Sequence, residues 1–125
     1  MKVPLVYVSK DFTFEAAHKL NNYNGKCANL HGHTYKLRVT TKGPVHKNGL
    51  AIDFVDLKKI VEEKVLIRVD HTYLNDLISQ PTAENIIVWM WQTLDKYLPL
   101  YELSLWETPT SWVTYQGKHK IYANK

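Results

Sequence analysis

Apolar and polar residues alternate along two stretches in the first third of the chain, which is the pattern of strands with one buried face. The first stretch runs from Leu5 to His18. From residue 12 onward its apolar residues occupy the even positions, and the last even position is His18. The second stretch runs from about His31 to Thr41, and its apolar face consists of the odd positions His31, His33, Tyr35, Leu37 and Val39. The pattern therefore predicts two strands whose buried faces both continue onto histidines.

Two later segments carry apolar residues three and four positions apart, which predicts two helices. Before them, Gly43-Pro44 and Asn48-Gly49 are turn signals. The first helix begins after Asp53, a candidate N-cap, and its apolar stripe consists of Phe54, Leu57, Ile60 and Val61. The second begins after Thr82, also a candidate N-cap, and runs to about residue 97 with the stripe Ile87, Met90, Trp91, Leu94 and Leu98.

The C-terminal part predicts two more strands, "YELSLWET" and "SWVTYQG", joined around Pro109. The element order is ββααββ, an α+β arrangement with four strands and two helices on one face. Such a sheet has two open edges and a second face that is only partly covered. Association with other copies of the chain would cover both.

Composition limits the possibilities further. With 125 residues, 45% of them apolar, the chain is expected to form one domain over residues 1–125. The net charge of +4 suits an anionic ligand but is too small and diffuse to indicate nucleic-acid binding. A single cysteine excludes an internal disulfide, and no apolar run has the length of a signal peptide or membrane span, so we expect a cytoplasmic protein with a reduced thiol.

The histidines at the strand ends are candidate metal ligands. His31 and His33 alternate on one strand, so both imidazoles project from one face, and Gly32 between them adds no side chain. His18, at the end of the neighbouring strand, can supply a third imidazole. An H-x-H pair alone is more often packed or solvated, but three imidazoles with an open fourth position are typical of a catalytic zinc site. Iron or nickel would also accept these ligands.

Cys27, the only cysteine, lies four residues before His31 and allows two interpretations. As a fourth ligand it would close a structural zinc site and leave no position for a substrate. Alternatively, the thiol is unbound and acts as a base, which the lone cysteine and the adjacent Lys26 favour.

Two further positions are candidates for proton transfer and substrate binding. Asp70-His71, between the two helices, could manage a proton because a neighbouring carboxylate fixes the tautomer of an imidazole. Glu107 shares a strand parity with Leu103 and Leu105, so it could point into a pocket rather than into solvent. Either feature alone would carry little weight.

Six motifs resemble those of the 6-pyruvoyltetrahydropterin synthase superfamily, in the same order and at similar separations. The motifs span nearly the whole chain and read "FTFEAAHKL", "CANLHGHTYKL", "AIDFVDLKKI", "DHTYLND", "PTAENIIVWMW" and "LWET". Three residues separate Cys27 from "HGH". This spacing resembles that of the bacterial 6-carboxy-5,6,7,8-tetrahydropterin synthase branch, which acts in queuosine biosynthesis. The resemblance implies the tunnelling fold, in which antiparallel sheets of three subunits form a barrel and two trimers stack into a hexamer.

The resemblance also implies a role for each motif residue. His18, His31 and His33 would bind zinc, Cys27 would be the base, and Asp70 and His71 would be its relay partners. Glu107 would anchor the pterin ring through two parallel hydrogen bonds, and Thr82 would contact the pterin, although a capping role also explains this threonine. The implied substrate is 7,8-dihydroneopterin triphosphate, which loses triphosphate and, in the carboxy-forming branch, releases acetaldehyde.

Three alternatives remain at this level. Within the superfamily, the product could be the pyruvoyl compound, or the reaction could be an aldolase-like cleavage of dihydroneopterin. Cys27 disfavours the aldolase-like reaction, because such members usually carry a glutamate near that position. In a different class, the chain would be a non-catalytic zinc- or pterin-binding module in which Cys27 closes the metal site.

Overall fold

The computed structural model describes residues 2–25 and 28–118 and confirms the predicted α+β class. The strands are β1 (Leu5–His18), β2 (His31–Pro44), β3 (Thr72–Tyr73), β4 (Leu100–Thr108) and β5 (Ser111–Tyr115). The helices are α1 (Phe54–Val61), α2 (Ile67–Val69) and α3 (Ala83–Leu94); a π-helical turn (Glu62–Leu66) joins α1 to α2, and a 3-10 turn (Leu74–Asp76) follows β3. Within the described residues, no helix has the length and apolar character needed to cross a membrane.

The sheet has the order β3-β1-β2-β4-β5. β1 and β2 pair antiparallel along their whole length, from Leu5 opposite Pro44 to His18 opposite His31. The prediction of four strands was wrong, because β3 adds a fifth strand that lies parallel to β1. A strand of two residues is too short for an alternating pattern to indicate it.

One of the two predicted turns is present. Asn48-Gly49 forms a turn in which Gly49 adopts a φ of +86° and donates its N–H to the carbonyl of His46. The turn predicted at Gly43-Pro44 was wrong, since β2 continues through both residues. A proline is tolerated there because it is the last residue of the strand, where a missing N–H disrupts little of the ladder.

Both predicted N-caps are confirmed. The Asp53 side chain accepts a hydrogen bond from Val55 N, and the Thr82 side chain accepts one from Asn85 N. The second predicted helix, α3, ends at Leu94 rather than at residue 97. In α1, Leu57 and Val61 are buried as predicted, whereas Phe54 is 58% exposed and is not part of the core.

The core lies between the helices and one face of the sheet. The even positions of β1 and the odd positions of β2 and β4 meet buried residues of α1 and α3 in one contiguous cluster. Phe14 stacks on Tyr35 with ring centroids 4.8 Å apart, at the end of the core where His18 is completely buried. The packed core therefore continues directly into the histidine positions.

Gly117→Ala is expected to destabilise the protein by about 2–4 kcal/mol, and Gly49→Ala by only about 1 kcal/mol. Both glycines have a positive φ, +76° and +86° respectively. At Gly117 an added Cβ would also lie 2.2 Å from Trp91 Cε2, whereas at Gly49 it would meet nothing within 4 Å. Urea unfolding of the two variants separates the steric contact from the backbone strain, and equal losses would contradict the prediction.

Candidate active site

Three histidines converge at one end of the sheet, as the strand pattern predicted. The antiparallel register places His18 opposite His31 and Ala16 opposite His33, so all three imidazoles project from the core face. One nitrogen from each ring lies within 4.8 Å of the other two. His18 is completely buried and the other two are partly exposed, which leaves one side of the cluster accessible. The cluster can hold a metal ion.

Backbone carbonyls fix the tautomers of two of these rings. His18 Nδ1 lies 2.7 Å from the carbonyl of Pro81, and His31 Nδ1 lies 2.7 Å from the carbonyl of Asn29. A carbonyl oxygen can only accept, so each Nδ1 carries the hydrogen and each Nε2 of a neutral ring carries a lone pair. Such contacts from the outer nitrogen are typical of histidines that bind metals.

The two Nε2 atoms of His18 and His31 are 3.1 Å apart. Two lone pairs at this distance repel each other unless a cation or a proton lies between them. Two nitrogen ligands of a tetrahedral zinc ion, with bonds of about 2.0–2.1 Å, are separated by about 3.4 Å. The observed spacing is close to that value, so the donor set fits a small divalent cation.

The third ring, His33, has a buried nitrogen without a partner. Among the described residues, no group forms a hydrogen bond with His33 Nε2, although Glu107 Oε1 lies 3.4 Å away. Burial lowers the pKa of His33 below the usual 6.5, more strongly than the Glu107 carboxylate raises it. The ring is therefore held neutral, which is the state that coordinates metal.

In the metal-free protein, the free energy of unfolding is expected to fall as the pH drops below about 6.5. The folded state holds the pKa of His33 below 6.5, so the unfolded state binds more protons in the window between the two pKa values. This contribution to stability is complete above pH 6.5 and is lost as the pH falls through that window. Urea titrations at about pH 7.5 and 5.5 measure it; the pH dependence should weaken in His33→Gln, and an undiminished dependence in that variant would contradict the assignment.

Glu107 borders a cavity of about 500 Å³ that also reaches His33. Trp106 and Lys36 form part of its lining, with the Lys36 ammonium 4.0 Å from the centroid of the Trp106 ring. The Glu107 side chain is 24% exposed. A carboxylate in this position can accept hydrogen bonds from a planar ligand that also reaches His33.

Asp70 and His71 are paired, but not on the face that carries the histidine cluster. Asp70 Oδ1 lies 3.0 Å from His71 Nδ1, and the His71 side chain is 74% exposed. The other ring nitrogen, Nε2, approaches the carboxylate of Glu15, whose strand parity is opposite to that of His18. Within one chain, the pair and the cluster therefore lie on opposite faces of the sheet.

Two predicted positions are not tested by this geometry. Cys27 lies outside the described residues, so the choice between a fourth ligand and a free base stays open. Thr82 caps α3, and it follows Pro81, whose carbonyl contacts His18. The predicted pterin contact of Thr82 stays a prediction.

The sequence patterns did not identify three groups that support the site. The carbonyls of Pro81 and Asn29 are backbone atoms, which no residue type can indicate. Glu15 contacts Asp70 and His71, but it lies 55 positions before Asp70 in the chain. The only sequence signal that could have indicated Glu15 was its position in the predicted strand that ends at His18.

Comparisons with known proteins agree with this site. The family model described as 6-pyruvoyl tetrahydropterin synthase matches residues 7–118. A 6-carboxy-5,6,7,8-tetrahydropterin synthase of Haemophilus influenzae is 37% identical, over 87% of this chain and 97% of its own length. A dihydroneopterin monophosphate aldolase of Pyrococcus furiosus is 39% identical, over 86% and 91%. The solved structure of Caenorhabditis elegans 6-pyruvoyl tetrahydropterin synthase aligns with a TM-score of 0.86 at 30% identity, covering 94% of this chain and 99% of that one.

The matched region contains nearly all of the described fold and the candidate site. It begins in β1 before His18 and ends after β5, so it includes the three histidines, the Asp70–His71 pair and Glu107. Both the similarity in sequence and the similarity in fold extend over most of the chain. The chain is therefore a pterin-processing enzyme of the 6-pyruvoyl tetrahydropterin synthase family.

Proposed function

We propose that this protein is a zinc-dependent lyase that converts 7,8-dihydroneopterin triphosphate to 6-carboxy-5,6,7,8-tetrahydropterin. In this reaction one water is consumed, triphosphate is eliminated and a two-carbon fragment leaves as acetaldehyde. The product would serve the biosynthesis of queuosine and related 7-deazapurines in the cytoplasm. The 37% identity with the Haemophilus influenzae enzyme over nearly its whole length supports this reaction. The Pyrococcus furiosus aldolase is as similar, at 39%, but Cys27 disfavours its reaction.

The observation that carries the proposal is the approach of the His18 and His31 Nε2 atoms to 3.1 Å, with both Nδ1 atoms bonded to carbonyls. This arrangement favours a cation over an ordinary packed pair of histidines. His18, His31 and His33 would hold the ion and leave an open position for a substrate oxygen. When bound, zinc supplies positive charge that stabilises a substrate oxygen as negative charge develops on it.

The remaining steps belong to side chains of the protein. Glu107 would accept two N–H hydrogen bonds from the pterin ring in the adjacent cavity and so orient the substrate side chain toward the histidines. Cys27, as the thiolate, would remove a side-chain proton, and His71, oriented by Asp70, would relay it. Thr82 would contact the pterin from the start of α3.

We further propose that the complete pocket forms between subunits of a hexamer built from two trimers. Two observations support assembly. The Asp70–His71 pair lies on the opposite sheet face from the histidine cluster of its own chain, so another copy would bring the two together. The same face exposes large aromatic residues, with Tyr7 at 54% and Trp112 at 55%.

Product analysis tests the reaction. The zinc-loaded protein is incubated with 7,8-dihydroneopterin triphosphate, and released triphosphate and acetaldehyde are quantified. We expect one acetaldehyde for each triphosphate. Triphosphate without acetaldehyde would indicate the pyruvoyl product. Glycolaldehyde triphosphate, without free triphosphate, would indicate the aldolase-like cleavage that the similarity to the Pyrococcus furiosus enzyme keeps as the second candidate. No turnover together with bound zinc would favour the non-catalytic module.

A further inference from the structure

Glu15 contacts both members of the Asp70–His71 pair. Its backbone N–H donates to Asp70 Oδ1 at 3.0 Å, and its carbonyl accepts from the backbone N–H of His71 at 2.6 Å. Its side-chain Oε2 lies 3.8 Å from His71 Nε2. One residue of β1 therefore holds the backbone of His71, the carboxylate of Asp70 and the far edge of the imidazole.

The imidazole of His71 lies between two carboxylates. Asp70 Oδ1 is 3.0 Å from Nδ1, and the Glu15 carboxylate faces Nε2. When the ring is protonated, both nitrogens are donors, and a ring flip would turn a carbon edge toward each carboxylate. The two negative groups together therefore select one orientation of the imidazolium that a proton relay has to form. Thr34 Oγ1 donates to Glu15 Oε1 at 3.2 Å and restrains the glutamate side chain in turn.

The backbone of His71 also requires this support. Its φ is +58°, in the left-handed region that residues other than glycine seldom adopt. Such a conformation persists where surrounding contacts hold it, and it is often found at functional sites. The hydrogen bond to the Glu15 carbonyl is such a contact, and it comes from the strand that ends three residues later at His18.

We propose that Glu15 is a positioning residue that holds the His71 imidazole, through its carboxylate, in the orientation needed for proton relay. This inference rests on the proposed role of His71 in the lyase reaction. In the single chain, the glutamate and histidine side chains are 64% and 74% exposed, and ion pairs this exposed contribute little to the stability of the fold. The effect of the carboxylate is therefore on the ring and not on the fold.

Kinetics of Glu15→Gln and Glu15→Ala test the proposal. Glutamine keeps the size and can still accept from Thr34, but it lacks the charge. We expect kcat for dihydroneopterin triphosphate to fall about tenfold in both variants, a part of what a well-placed acid–base group contributes. KM, zinc content and Tm should stay at the wild-type values. Full activity of the glutamine variant would reduce Glu15 to a structural role and overturn the proposal, as would a drop in Tm that accompanies the loss of kcat.

Asp11→Asn is the matched control. Asp11 lies on the same strand and the same face, four residues earlier, and its carboxylate is bonded to Arg38 at 2.7 and 3.0 Å. We expect this variant to keep the wild-type kcat. An equal loss of kcat in Asp11→Asn would show a general effect of negative charge on this face and overturn the specific role of Glu15.

The orientation of the ring can be measured without any turnover. In neutron crystal structures, which locate the ring hydrogens, the His71 ring is expected to have one orientation in the wild type and more than one in Glu15→Gln. An unchanged ring overturns the role of Glu15 whatever the kinetics show. A wild-type protein that does not turn over the triphosphate would instead refute the proposed function, and the ring orientation would still decide the role of Glu15.

Discussion

His31→Ala is expected to lose bound zinc and to lower turnover on the order of 1000-fold. The substitution removes one of three imidazoles, and with it several kcal/mol of the transition-state stabilisation that a metal ion supplies. His31 is the best choice among the three because it starts β2 and is partly exposed, whereas His18 is completely buried and its removal would also disturb the core. Elemental analysis of the purified variant, together with its turnover rate, measures both effects.

His46→Ala is the control for the loss of an imidazole. His46 is exposed in the loop after β2 and is not one of the three converging histidines. This variant should keep both the metal and the activity. One equivalent of zinc in His31→Ala, held as tightly as in the wild type, would contradict the three-histidine site.

Cys27→Ala is expected to lower turnover by about 10²–10⁴-fold while zinc stays bound, because a base that transfers a proton in the transition state contributes an effect of this size. If the thiolate were the fourth metal ligand, the same substitution would remove zinc as well. Metal content and turnover measured on one preparation therefore distinguish the base from the ligand.

Asn24→Ala serves as the control for changes in the sequence segment before Cys27. Asn24 is exposed and lies outside the helices and strands, and its replacement should leave metal content and turnover unchanged. Loss of zinc in Cys27→Ala, with zinc retained in Asn24→Ala, would contradict the role of Cys27 as the free base.

Much of the fold could be predicted because its signals are local. Alternation along β1 and β2 indicated both strands and the histidines on their buried faces, and the positions of Asp53 and Thr82 indicated where two helices begin. β3 and the continuation of β2 through Pro44 could not be predicted in this way. Both depend on pairing with β1, which is distant in the sequence.

The sequence by itself determined which residue types are available at the site and on which face of a strand each histidine lies, because side-chain direction in a strand follows a period of two. Only the tertiary structure decided how they combine. The antiparallel register brought His18 to His31, and the carbonyls of Pro81 and Asn29 selected the tautomers that direct both Nε2 atoms to one point. It also placed the imidazole of His71 beside Glu15, on the other face of the sheet. Distances of about 3 Å between residues far apart in the chain depend on packing, and no local pattern specifies them.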